Sequence, residues 1–116
     1  MPYLVMHFEA EQTADLNSVA LALGAKTSKL PDVERAVARA EPLRDGGATE
    51  VLLIISVPIE LIKNAGELED ALKHLIDSAK GLGESLGLRK PRAEIGMRQV
   101  PHDKLTPEDL REWAEE

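Results

Sequence analysis

The sequence predicts an α/β (α+β) fold: a small sandwich in which a sheet of three or four strands is covered by two helices and followed by a short C-terminal helix. Two alternating segments, a continuous apolar run between them and a long helical stripe carry this prediction. The chain has 116 residues, the length of one ordinary domain. We therefore expect a single α/β domain over residues 1–105 and an acidic helix over residues 106–116.

The N-terminal part predicts a strand and then a helix. Residues 3–9 alternate between apolar and more polar side chains, which indicates a strand with one apolar face. Thr13 can cap the helix that follows, whose apolar residues recur at the spacing of one helical face. Gly24 would end this helix in a left-handed conformation.

Residues 32–41 fit two different structures. Their alanine content favours a helix, whereas their alternation also suits a strand. A strand here would make the chain two consecutive βαβ units. In both cases Arg35 and Arg39 lie on the same side, because a spacing of four residues is about one helical turn or two strand repeats.

The middle of the chain contains the clearest signals. Residues 42–47 include Asp-Gly and Gly-Gly pairs and predict a turn. The apolar run Val51–Ile55 predicts a central strand that is covered on both faces. Asn64 can then cap the helix with the longest apolar stripe, and we expect Gly81 and Gly83 to loosen the end of that helix.

The C-terminal part predicts one more strand and the last helix. Residues 92–100 alternate again and indicate a single strand. Thr106 can cap the final helix, and Pro107 suits its first position. Trp113 shares a face with Leu110, so we expect it to anchor the helix to its own fold or to a neighbouring subunit.

Composition excludes several classes of partner. The net charge is −7, and the one small cluster of bases is too weak a field to bind nucleic acid. The longest apolar run is far shorter than the roughly 20 residues that span a bilayer, so we expect no membrane partner. The absence of cysteine suits a cytoplasmic location. The three histidines are scattered, so we predict no metal site and no other cofactor.

Proline at position 2 suggests chemistry, because it directly opens the first strand. Removal of Met1 would leave Pro2 as a secondary amine at the chain terminus. In an apolar cleft or beside a cation, such an amine becomes a free base at neutral pH. It could then move a proton between two carbons of a keto–enol substrate, while Arg35 and Arg39 bind the substrate carboxylate.

In its opening strand, its Arg-bearing segment Val33–Glu41, the turn Arg44–Gly46 and the buried strand Val51–Val57, the chain resembles the tautomerase superfamily, in particular its 5-carboxymethyl-2-hydroxymuconate isomerase-like members. The resemblance implies a homotrimer of subunits with two βαβ units each. It also implies cofactor-free isomerisation of a small keto acid, with Pro2 as the catalytic base.

A second hypothesis is a non-catalytic protein-interaction or self-assembling module. Such a module would present a sheet edge, or the tail that carries Leu110 and Trp113, to its partner. We expect a homo-oligomer, which is a trimer if the chain is tautomerase-like, and the isomerase hypothesis adds a small carboxylate ligand.

Overall fold

A computed structural model describes residues 3–10, 15–42, 49–58, 60, 63 and 65–115 of the chain. These residues form one five-stranded sheet and three helices, which confirms the predicted α+β class. In chain order the elements are β1 (Tyr3–Ala10), α1 (Leu16–Thr27), β2 (Arg35–Pro42), β3 (Thr49–Ser56), α2 (Ala65–Ser85), β4 (Leu88–Ile95), β5 (Arg98–Pro101), a 3-10 turn (His102–Lys104) and α3 (Pro107–Glu115).

The strands are arranged in the order β2-β3-β1-β4-β5, and every neighbouring pair is antiparallel. The sheet therefore has five strands rather than the predicted three or four. Two βαβ units with adjacent parallel strands do not form, because β3 lies between β1 and β2. The first six elements follow the ferredoxin-like β-α-β-β-α-β order. In this order the two parallel strands of each βαβ unit are separated by one strand of the other unit.

The segment that fitted two structures is the strand β2, so the helix favoured by its alanines is wrong. Each residue of β2 pairs with β3, from Arg35 opposite Ser56 to Pro42 opposite Thr49. On the other side of the segment, the small Ala38 admits α1, whose Gly24 lies so close that a Cβ there would be 3.1 Å from the Ala38 nitrogen. This pairing and packing outweigh a helix propensity worth only about a few tenths of a kcal/mol per residue.

The predicted strand over residues 92–100 is two strands, β4 and β5, joined by a turn at Gly96 and Met97. Gly96 has a φ of 61°, which a two-residue hairpin turn requires and which glycine adopts without strain. Ile95 and Arg98 are directly opposite across this turn. Across the turn the core-facing positions change from the odd residues Ala93 and Ile95 to the even residue Val100, so the single alternation assumed for residues 92–100 is wrong.

The helix boundaries also differ from those expected. Asp15 caps α1 by accepting a hydrogen bond from the Ser18 N–H at 3.3 Å, and the helix passes Gly24 to end at Thr27. Helix α2 continues through both of its C-terminal glycines to Ser85. Gly83 is needed there, because a methyl group at this position would overlap the ring of Phe8. Thr13, Asn64 and residues 43–48 of the expected turn lie outside the described residues.

All three helices pack on one face of the sheet. That face carries the buried side chains of Leu4, Met6 and Phe8 from β1, together with apolar residues of α1, α2 and α3. Over the described ranges no helix packs on the opposite face, which we call the open face. No described helix covers this side of β3, although Glu50 and Leu52 on it are only 9% and 8% exposed.

The C-terminal helix α3 begins and docks as its sequence predicts. The Asp109 N–H donates to the Thr106 hydroxyl at 3.2 Å, and the Thr106 N–H donates to the Asp109 carboxylate at 3.0 Å. The backbone bond from Thr106, and then the bond from Arg98, hold the pKa of Asp109 below its ordinary value. Trp113 is buried in the core of its own chain, and its indole N–H donates to the Tyr3 carbonyl at 3.0 Å.

Candidate functional site

The predicted substrate arginines lie on the open face, in the edge strand β2. Arg35 is exposed and is in register with Ser56 of β3, which in turn is opposite Tyr3 of β1. Arg39 is four residues further along the strand, and its guanidinium Nε lies 2.9 Å from a carboxylate oxygen of Glu41. An ion pair as exposed as this contributes little to stability. Pro2, the predicted base, lies outside the described residues.

A buried polar cluster that sequence analysis missed occupies the centre of the open face. It consists of His7, Glu50, Arg92 and Glu94. The register between His7 and Glu9 shifts against β4, and Lys90 in this irregular stretch has a positive φ of 52°. Such an irregularity re-aims the strand, and here it leaves Arg92 directly opposite His7.

The imidazole of His7 is held between two carboxylates. Its Nδ1 is hydrogen-bonded to Glu50, and its Nε2 lies 3.4 Å from Glu94. Arg92 lies 3.5 Å from the same Glu50 oxygen. His7 and Glu50 are only 7% and 9% exposed.

A histidine oriented by a carboxylate is the arrangement of a general base, so this cluster has to be tested for catalysis. A base must lie within hydrogen-bond reach of its substrate. The His7 Nε2, which would have to act, is buried and has no hydrogen-bond partner. In this conformation that nitrogen is closed to solvent, and the cluster forms a polar network between the strands β1, β3 and β4. Within the part of the chain that the structure describes, no group of three acidic or histidine side chains could hold a metal ion.

The outer edge of β2 forms the second notable surface. β2 is the terminal strand of the sheet, and no described strand pairs with its outer edge. A groove of about 290 Å³ runs between this strand and α1. Its walls are small or apolar, and the lining residues are Ala20, Leu21, Gly24, Ala25, Ser28, Ala36, Val37 and Ala38.

Two large apolar side chains beside the outer edge of β2 face solvent, Leu21 on the groove side and Val37 on the open face. Leu21 of α1 is 72% exposed and Val37 of β2 is 47% exposed. A single exposed leucine is ordinary, but here two apolar side chains, an apolar groove and an unpaired strand edge coincide. We call this surface the β2 edge. A strand edge offers backbone N–H and C=O groups to another strand, and the adjacent groove offers a place for apolar side chains.

Comparison with known proteins gives no relative. No protein-family model, no curated protein and no solved structure matches the chain. None of the described helices is long and apolar enough to cross a membrane. The candidate sites of this chain therefore rest on their own geometry.

Proposed function

We propose that this chain is a self-assembling protein-interaction module that uses the β2 edge as its contact surface. The observation that carries the proposal is the coincidence of an unpaired eight-residue edge strand with an apolar groove and the exposed Leu21. An unpaired edge of this length is a template for another strand unless the protein blocks it.

The protection of β2 is weak compared with that of the other edge strand. β5 has four residues and ends in Pro101, and its Arg98 is engaged by Asp109 and Glu112 of α3 at 2.9 and 2.8 Å. Short length, proline and a covering element all discourage pairing. Before its C-terminal Pro42, β2 has no proline, but it carries three charged side chains, and the Ser28 hydroxyl of α1 donates to its Ala36 carbonyl at 3.1 Å. The β2 edge is thus the longer of the two strand edges and is covered in part by the end of α1.

Sedimentation velocity over a wide range of protein concentration tests this proposal. We expect the wild type to form a discrete oligomer as concentration rises, and Leu21→Glu to raise the dissociation constant at least about tenfold, because burying a leucine is worth about 1.5–3 kcal/mol. Met97→Glu is the matched control, since Met97 is fully exposed but lies in the turn between β4 and β5. A wild type that stays monomeric at every concentration, or equal weakening by both variants, would contradict the proposal.

A second candidate function is the cofactor-free, tautomerase-like isomerase, with Pro2 as the base and Arg35 and Arg39 as carboxylate binders. One observation favours it: Tyr3, which follows Pro2 directly, shares a cross-strand row with Arg35 through Ser56. The head of β1 and a guanidinium-bearing residue therefore lie at the same end of the open face.

Intact mass and turnover of phenylenolpyruvate test the isomerase. If the chain is an isomerase, the mature protein lacks Met1, and Pro2→Ala abolishes proton transfer because the base is lost. The control is Pro101→Ala, which replaces a proline in the edge strand β5 and should leave the turnover unchanged. Retention of Met1 would turn the Pro2 nitrogen into an amide and end this candidacy.

A further inference from the structure

We propose that two copies of the chain pair through their β2 strands, antiparallel about a two-fold axis at Ala38. The five strands of each copy then form one continuous sheet. This inference rests on the proposed self-assembly and adds to it the partner, the strand orientation and the register.

Closure of the assembly favours pairing of β2 with itself. A two-fold axis uses the same surface on both copies and ends at a dimer. Pairing of β2 with β5 of another copy would leave a free edge at each end and would grow into an open fibre. β5 is also the protected edge, being half the length of β2.

Geometry restricts the register to a few choices. In an antiparallel pair the directly opposite side chains lie on the same face of the sheet. The two-fold axis must therefore pass through a residue of β2, which is then opposite its own copy. Within the range Arg35–Pro42, an axis at Ala38 or Arg39 pairs seven residues, an axis at Val37 or Ala40 pairs five, and an axis at any other residue pairs three or fewer.

The charges on the open face distinguish these registers. With the axis at Ala38, each Arg35 is opposite Glu41 of the other copy, and each Val37 is opposite Arg39. With the axis at Val37, Arg35 would be opposite Arg39, and with the axis at Arg39 two copies of Arg39 would be opposite each other. Like charges directly opposite destabilise a strand pair, and opposite charges stabilise it. An axis at Ala40 would also place Arg39 opposite Glu41, but over only five paired residues, so the axis at Ala38 combines the longest pairing with opposite charges.

The helix side of the strand also fits this register. There the opposite pairs are Ala38 with its own copy and Ala36 with Ala40, and Gly24 of each α1 lies against the backbone of Ala38, so the two helices also meet near the axis. The two α1 helices would lie side by side on the same face of the joined sheet, with Leu21 and the groove of each copy close to the interface. The pair Arg39–Glu41 within one chain is exposed and weak, so Glu41 can turn to Arg35 of the partner copy.

A single-cysteine series reads the register directly, because the chain has no cysteine of its own. Opposite Cα atoms in an antiparallel pair are about 4.5–5.5 Å apart, which is within the disulfide range of about 4.4–6.8 Å. In a glutathione redox buffer we expect Ala38→Cys to form a covalent dimer to at least about ten times the extent of Val37→Cys or Arg39→Cys. Preferred cross-linking at position 37 or 39 would overturn the proposed axis.

A charge exchange gives an independent readout. Arg35→Glu should weaken dimerisation about tenfold, because two symmetric attractions become repulsions, and Arg35→Glu with Glu41→Arg should restore it. Arg111→Glu on exposed α3 is the control for net charge. If the wild type dimerises but none of these changes matters, the pairing is wrong while self-assembly stands. If the wild type does not associate at all, both fail.

Discussion

Replacing Trp113 by alanine is expected to lower the free energy of unfolding by about 3–5 kcal/mol, the range for loss of a buried large aromatic side chain. Trp113 is 2% exposed and belongs to the same core as the inner face of the sheet. Its indole also donates to the Tyr3 carbonyl at 3.0 Å. A loss of this size is a large share of the roughly 5–15 kcal/mol that stabilises an ordinary domain. Urea unfolding followed by far-UV circular dichroism measures it without needing the tryptophan signal.

Trp113→Phe separates the packing of the ring from its hydrogen bond. Phenylalanine keeps most of the buried surface but leaves the Tyr3 carbonyl without its donor, so we expect a smaller loss of about 1–3 kcal/mol. If Trp113→Ala costs less than about 1 kcal/mol, far below a usual core truncation, α3 does not stabilise the fold and the docking described above is wrong.

The second large effect is expected at the buried pair of His7 and Glu50. Glu50→Leu should lower the free energy of unfolding by about 3 kcal/mol, because it leaves the His7 Nδ1 without a partner in a buried site. Both side chains are about nine-tenths buried, so water cannot replace the lost acceptor. The measurement is urea unfolding at neutral pH, with Glu94→Gln as a control of under about 1 kcal/mol because Glu94 is far more exposed.

The double variant His7→Leu with Glu50→Leu should recover most of that loss. Replacing a whole buried polar pair by apolar residues is often neutral or stabilising, whereas removing one partner is costly. Arg92 retains partial contact with solvent and can turn outward when Glu50 is absent. If the two substitutions are simply additive, the pair does not act as a unit and the polar network is not its role.

Local patterns correctly predicted the elements whose secondary structure depends only on residues close by in the sequence. The alternation of β1, the stripe of α2 and the cap at Thr106 each correspond to an element of the structure. The alanine-rich β2 could not be decided in this way, because helix and strand both satisfy its pattern and the choice depends on pairing with β3. The turn at Gly96 was missed because the four paired residues on each side of it are too few to reveal that the core-facing positions change from odd to even residues across the turn.

The polar cluster could not be found from sequence for a related reason. His7 and Glu50 are 43 positions apart, and nothing near either residue specifies the register that brings them together. The sequence did suggest a sheet edge as an interaction surface. Which strand would be that edge depends on the order of strands in the sheet, and the sequence does not determine this order on its own.

The bond between Trp113 and Tyr3 spans 110 positions and joins the last helix to the first strand. During synthesis the N-terminal strand therefore leaves the ribosome long before its partner exists. Until the final turn of α3 has been translated, the apolar surface that receives Leu110 and Trp113 stays uncovered. Nascent chains, or products of premature termination, would thus expose an apolar surface that is buried in the finished protein. This surface would be a target for chaperones.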